Sequence, residues 1–244
     1  AGENVPDHYA FGDTLTSHHR QPIWVLGAGG EYWNEDYTKC LLDSPEAEKG
    51  LQFFVDLITH HNIVPDTQGD FADPNTAFAE GRVAMTHNTR FGRPSNPNFR
   101  WGIAPVVSGP AGRYTLTIVD FVSVSSTTKH PDLAWELAKY YASEPGFDAG
   151  MELEPREGYF WGLSPLRRQT LRQLEANRDY GDSYWLTLLD ESRPAPTFHP
   201  ANVNAVPNLA SVVHGETTLR ALLLNSVRQW NQQVAEAQTR GIKW

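Results

Sequence analysis

Two short runs hold side chains that can do chemistry. His87, Asn88, Thr89, Arg90, Phe91 and Gly92 are consecutive, so hydrogen-bonding groups and one aromatic ring arrive together at the end of a short apolar stretch. Ser17, His18, His19, Arg20 and Gln21 form the other run. Adjacent histidines on a helix diverge by about 100°, so one metal ion needs a bent backbone and further ligands to use both. A solvated polar helix start is the alternative reading of the same residues. Asp120 interrupts the most β-prone stretch of the chain, residues 115–124. A carboxylate there stands at a strand end, is paired, or faces a cleft, because burying it unpaired is costly. Tyr159, Phe160 and Trp161 lie between Gly158 and Gly162, and such a loop is either packed on the body or part of a binding surface.

Catalytic signatures do not emerge from these residues. There is no GxSxG elbow, no HExxH helix and no paired carboxylate set apart by spacing. Gly27-Ala28-Gly29-Gly30 follows no strand pattern and no Lys-Ser/Thr follows it, so it does not read as a phosphate loop. Cys40 is the only cysteine among the 244 residues, which excludes an internal disulfide and cysteine-based metal motifs. The formal charge of −9 gives no support to a nucleic-acid partner. With 40% hydrophobic residues the chain can bury one or two cores. No apolar run approaches the length of a membrane span, and the first ten residues lack the basic and apolar regions of a signal peptide. The expectation from these residues is a protein without a catalytic constellation, cofactor or metal.

The elements that must position these groups can be read from local signals. Pro74 suits the first position of a short helix with Ala77 and Phe78 on its apolar side; Gly81 stops it, and a strand over residues 82–86 follows. Ser44, Pro45 and Glu46 start a longer helix in which Leu51, Phe54, Val55 and Ile58 form one apolar stripe. His60 and His61 close it and Pro65 bars continuation. A short helix runs from Pro22 to Leu26, and Trp33 is placed at the edge of the core. Residues 1–22 otherwise read as a loop or frayed helix. Residues 99–107 read as extended, and Pro131 opens a helix whose buried side is Leu133, Ala134, Leu137, Ala138 and Tyr141, with Trp135 on its flank. Helices are expected from Ser164 to near Asn177, over residues 183–190, over residues 202–213 with a bend at Pro207 and an end at Gly215, and over residues 217–239; Pro194 and Pro196 mark a loop.

Residues 77–86, AFAEGRVAMT, followed by Asn88 and an aromatic, resemble the segment by which extracellular solute-binding proteins of bacterial ABC importers, the maltose-binding-like family, are often recognised. The same order of landmarks continues with Gly29-Gly30, LLDSPEAEKGLQFFVDL at residues 41–57, WGIAPVV at 101–107 and TTKHPDLAWELAKYYAS at 127–143. The resemblance implies an α/β, periplasmic-binding-protein-like (type II) fold in which this chain supplies the second lobe, a sheet flanked by helices, with a remnant of the first. Residues 1–100 then form the first part of that lobe, 101–150 the segment that crosses to the first lobe, and 151–244 its helical C-terminal part.

The function implied is capture of a small solute, a sugar or oligosaccharide, outside the membrane, and its presentation to the membrane subunits of an ABC transporter. His18, His19, Asn88, Arg90, Phe91, Asp120, Phe121 and Trp161 are the candidate ligand-binding residues. Because the family is exported, the resemblance also implies a chain that begins inside a longer precursor and works in the periplasm or lipid-anchored on the outer face of the cytoplasmic membrane. Many sugar binders have tryptophan where this chain has Phe91, preceded by Arg90, and an arginine can equally favour an anionic solute. Most of the first lobe has no counterpart here. The alternative is therefore an isolated lobe acting as an interaction or assembly module, with the missing lobe or a second copy as partner.

Overall fold

The computed structural model describes residues 7–66, 71–88, 98–117, 122–143, 145–146, 188 and 192–242. At its centre two short strands, β1 (Tyr9–Gly12) and β2 (Val83–Thr86), run parallel, with Tyr9 opposite Val83 and Gly12 opposite Thr86. A parallel pair needs a long crossover. Here it is helical: α1 (Gln21–Gly27), α2 (Pro45–Thr59) and α3 (Pro74–Ala79) lie between the strands in sequence.

Each of these helices is bounded as its caps dictate. Ser44 Oγ accepts a hydrogen bond from the Ala47 amide at the start of α2, which satisfies one of the donors that a helix leaves open at its N-terminus. Asp73 does the same for α3 through the Asn75 and Thr76 amides, and Gly81, at φ +75°, ends the turn that leads into β2. The expected stripe of α2 is buried in full: Leu51, Phe54, Val55 and Ile58, with Ala47, Gly50 and Leu57. Helices α1 and α2 approach so closely at Gly50 that a Cβ there would stand 2.3 Å from the Trp24 carbonyl oxygen. That closeness lets the Trp24 and Phe54 rings stack, 5.5 Å between centroids.

The core continues into the C-terminal part. Helix α5 (Ala210–Val213) and the long α6 (Leu219–Thr239) follow a hairpin of β5 (Phe198–His199) and β6 (Val203–Asn204). Leu219, Leu223, Val227 and Val234 of α6 join Leu209 and the α2 stripe in one cluster. Thr218 caps α6 by accepting from the Ala221 amide. Trp33 is buried against His199 and donates from Nε1 to the Pro196 carbonyl at 2.9 Å, at the core edge as its sequence context implied.

Several expectations are corrected. The first residues contain β1, where a loop or frayed helix was read: Tyr9 and Phe11 are half-buried and Ala10 exposed, a strand alternation that becomes decisive only once β2 is alongside. Residues 202–213 are not one bent helix, because the chain first returns as β6 and turns helical only at Ala210, beyond Pro207. Pro194 lies in a strand, β4 (Ser192–Pro194), which pairs in parallel with β3 (Thr115–Thr117). No strand is formed over residues 98–108.

The largest correction concerns α4 (Pro131–Tyr141). Its helical periodicity and Pro131 start are as read, yet Leu133 is 70% exposed, Leu137 65% and Tyr141 59%. Only Ala138 of the expected buried side is buried. Trp135 and Tyr140 are exposed as well. The apolar pattern is present, and the surface that should cover it is not supplied by the described residues. The helices expected from Ser164 and over residues 183–190 lie outside the described residues, except that Leu188 is buried.

Candidate functional site

Because β1 and β2 are parallel, both end on the same side, and the side chains that follow them meet. Asp13, after β1, is fully buried. Its Oδ1 accepts from the Thr14 amide at 2.8 Å, and its Oδ2 accepts from Trp24 Nε1 at 3.3 Å and lies 3.3 Å from His87 Nδ1. His87, directly after β2, sits with its ring against Phe11 and Trp24, at centroid distances of 4.8 and 5.3 Å. The carboxylate thus accepts two hydrogen bonds and has an imidazole nitrogen beside it, partners of the kind that let a buried carboxylate be tolerated.

Arg20 completes the set from the turn before α1. Its guanidinium, 12% exposed, lies 3.9 Å from Asp13 and donates from Nη2 to Asn75 Oδ1 at 3.0 Å. Burial pushes the Arg20 guanidinium below its ordinary value, and Asp13 and Asp73 push it back up. The turn that presents Arg20 is held by Ser17, whose Oγ accepts from the His19 and Arg20 amides. Asn75, in the first turn of α3, also accepts from Asn88 Nδ2 at 2.7 Å. One connected polar network therefore joins the ends of β1 and β2 to the starts of α1 and α3. The outer end of open α/β strands is where such folds bind their ligands.

Of the sequence candidates, one is bonded to this network and two lie beside it. Asn88 is exposed and tied to it through Asn75. His18 and His19 occupy the same turn as Arg20, half-buried, with ring centroids 3.6 Å apart, and His18 also meets the Phe198 ring at 5.0 Å. Burial lowers the His18 pKa from its ordinary value, favouring the neutral ring. Arg90, Phe91, Asp120, Phe121 and Trp161 lie outside the described residues. Among the described residues no group of three or more His, Cys, Asp or Glu side chains can hold a metal ion.

His87 was read as the first of the run of hydrogen-bonding residues after the strand, whereas Asp13, Trp24 and Asn75 were not singled out by sequence reasoning. The available signal was weak: Asp13 and His87 each stand one residue past a short strand, and only the parallel pairing brings them together. A separate hollow of about 490 Å³ is lined by Glu31, Trp33, Asn34, Glu35, Tyr37 and Pro196 and includes none of the network residues.

A sequence profile described as bacterial extracellular solute-binding protein matches residues 9–146. No curated protein sequence matches the chain significantly. Among solved structures, an ABC transporter solute-binding protein from Thermotoga lettingae bound with α-D-tagatose superposes with a TM-score of 0.68 at 20% identity, over 96% of this chain and 61% of that one. An ABC substrate-binding protein from Listeria monocytogenes in complex with cycloalternan gives 0.71 at 16% identity, over 99% and 61%. The sugar-binding protein MalE from Xanthomonas citri gives 0.66 at 19% identity, over 96% and 60%. What is shared at these identities is the fold, and the chain spans about three-fifths of the length of these structures.

Proposed function

The chain belongs to the bacterial extracellular solute-binding protein family, with its periplasmic-binding-protein-like α/β fold, and on that premise we propose that it forms one wall of a solute cleft in a receptor that feeds an ABC importer. The observation that carries this reading is that Asn88 is tied through Asn75 to Arg20 beside the buried Asp13, at the carboxyl ends of parallel strands, with His18 and His19 in the same turn as Arg20. Such a wall offers hydrogen bonds to hydroxyls from rigid supports, and a carbohydrate is the solute class that uses them best. Arg90, Phe91, Asp120, Phe121 and Trp161 join it in this reading, Phe91 as the ring that packs on a pyranose face. The role is binding without catalysis, outside the cytoplasm. Lobe closure on the solute then supplies the second wall and the signal to the membrane subunits.

The test is calorimetric titration with maltotetraose, maltose and tagatose of a polypeptide of family length that carries this sequence. Phe91→Ala and Asn88→Ala are expected to weaken the binding of one of these sugars by on the order of 1 kcal/mol each. Full affinity in both variants contradicts the reading.

The exposed face of α4 favours a second reading, an isolated lobe that acts as an interaction module. Leu133, Leu137 and Tyr141 form an apolar patch without cover among the described residues. The family-length relatives suggest the covering surface, a first lobe, and self-association measured by sedimentation velocity separates the two readings. A monomer across the concentration range supports the lobe of a receptor, and a stable dimer supports the module.

A further inference from the structure

Phe198, in the stretch read from the sequence as a loop, is a large apolar side chain that the fold leaves 50% exposed. It stands in β5 between two buried residues, Thr197 and His199. Thr197 Oγ1 donates to the His18 carbonyl at 3.4 Å, which joins this hairpin to the turn before α1. The Phe198 ring consequently meets the His18 ring edge-on, with 5.0 Å between centroids, and the His19 ring lies 3.6 Å from the same imidazole. These neighbours keep water from part of His18, and burial lowers its pKa from the ordinary 6.5. Among the described residues no group hydrogen-bonds the His18 ring nitrogens.

A neutral imidazole carries one donor and one acceptor, and so does a sugar hydroxyl. A phosphate or carboxylate calls instead for a protonated ring, which an apolar neighbour disfavours. We infer that Phe198 is a further specificity-determining residue of the wall: it offers its exposed ring to the apolar face of an uncharged sugar, and His18 beside it gives and takes hydrogen bonds with a hydroxyl of the same sugar unit. The inference rests on the reading of His18 as a cleft residue. It favours, at this point of the wall, the sugar over the anionic solute that the sequence left open. The pairing comes from two segments 180 residues apart, so the fold and not the local sequence creates it.

Two measurements test it. On this chain without ligand, the His18 ring resonances are followed by nuclear magnetic resonance as pH is lowered. Their midpoint is expected below 6.5, and to rise toward that value in Phe198→Ala. His19, the titratable neighbour in contact with the ring, is present in both proteins and does not account for a difference. A midpoint that Phe198→Ala leaves in place overturns the inference. In a polypeptide of family length, calorimetric titration with maltose, maltotetraose and tagatose reads the contact itself. Phe198→Ala is expected to weaken the sugar that binds about fivefold, and Phe198→Tyr, which keeps a ring, to stay within about twofold. The Tm of unliganded Phe198→Ala is expected within about 2 °C of the unaltered protein; a larger fall makes Phe198 a packing residue and overturns the inference. Unchanged affinity in Phe198→Ala, with the loss in Phe91→Ala intact, also overturns it and leaves the sugar reading standing. Binding of none of the three sugars, or tighter binding of glucose 6-phosphate, overturns both.

Discussion

His87 Nδ1 lies 3.3 Å from Asp13 Oδ2, two side chains that each follow one of a pair of parallel strands. The contact makes the end of the sheet a polar floor held by a buried charge. Arg20 lies 3.9 Å from the same carboxylate and donates to Asn75, which also accepts from Asn88.

Removing the carboxylate leaves Arg20 and His87 facing each other in a site with little water. Asp13→Ala is expected to lower stability by about 3 kcal/mol, read from urea unfolding, because a buried cation without its counter-charge costs that much. A loss under about 1 kcal/mol contradicts a paired, buried Asp13.

Gly50→Ala separates packing from helix propensity. In an exposed helix the change gains about 1 kcal/mol. Here the new methyl meets the Trp24 carbonyl oxygen at 2.3 Å and α1 has to move. A net loss of about 1–3 kcal/mol is expected from thermal or urea unfolding, and a gain contradicts the close approach of α1 and α2.

Asp73 gives a pH dependence with a definite sign. Burial works against its charged form, but hydrogen bonds from the Thr76 hydroxyl and from the Asn75 and Thr76 amides, with the field of Arg20, outweigh that and hold its pKa below the usual 3.8. A depressed pKa in the fold contributes stability that is present above the unfolded-state value and is lost as pH falls through the folded one. The contribution is therefore complete at neutral pH and disappears below about pH 4. Asp73→Ala is expected to cost about 1 kcal/mol at pH 7, as N-cap losses do, and a smaller amount near pH 3. An equal cost at both pH values contradicts the assignment.

What could be read from the sequence followed the range of the signals. The cap at Ser44, the proline start at Pro74, the stop at Gly81 and the stripe through Leu51, Phe54, Val55 and Ile58 act within a few residues, and helices α2 and α3 emerge as read. Strand β1 depends on a partner far along the chain, with Gly12 paired to Thr86, and its own composition does not specify it. The link from Arg20 to Asn75 crosses 55 residues and has no periodic signature. Asn88, His18 and His19 entered as candidates through the family resemblance and His87 through its place in the run after the strand, whereas Asp13 and Asn75, which the fold sets beside Arg20, carried no signal of their own. Helix α4 shows a further limit: its pattern states which side is apolar, and the covering partner lies beyond what that pattern can report.

Leu137→Lys tests whether the α4 face is open in this chain. A residue 65% exposed tolerates a charge, so stability is expected to change by less than about 0.5 kcal/mol, while binding of an apolar dye to the protein falls. A loss of about 2 kcal/mol or more means that Leu137 is buried in solution, by this chain or by a second copy.

The central claim, one wall of a two-walled sugar cleft, is tested most directly by ligand-induced thermal shift. A ligand stabilises a fold by RT ln(1 + [L]/Kd), so a half-site exposed to water, binding well above millimolar Kd, gives almost no shift at about 1 mM ligand. With a panel of mono- and oligosaccharides, including maltose, maltotetraose and tagatose, this 244-residue chain is expected to show no change in Tm, and a polypeptide of family length that carries it a clear rise with one of the panel. A rise of several degrees for this chain alone contradicts the claim, because its own residues then form a complete site.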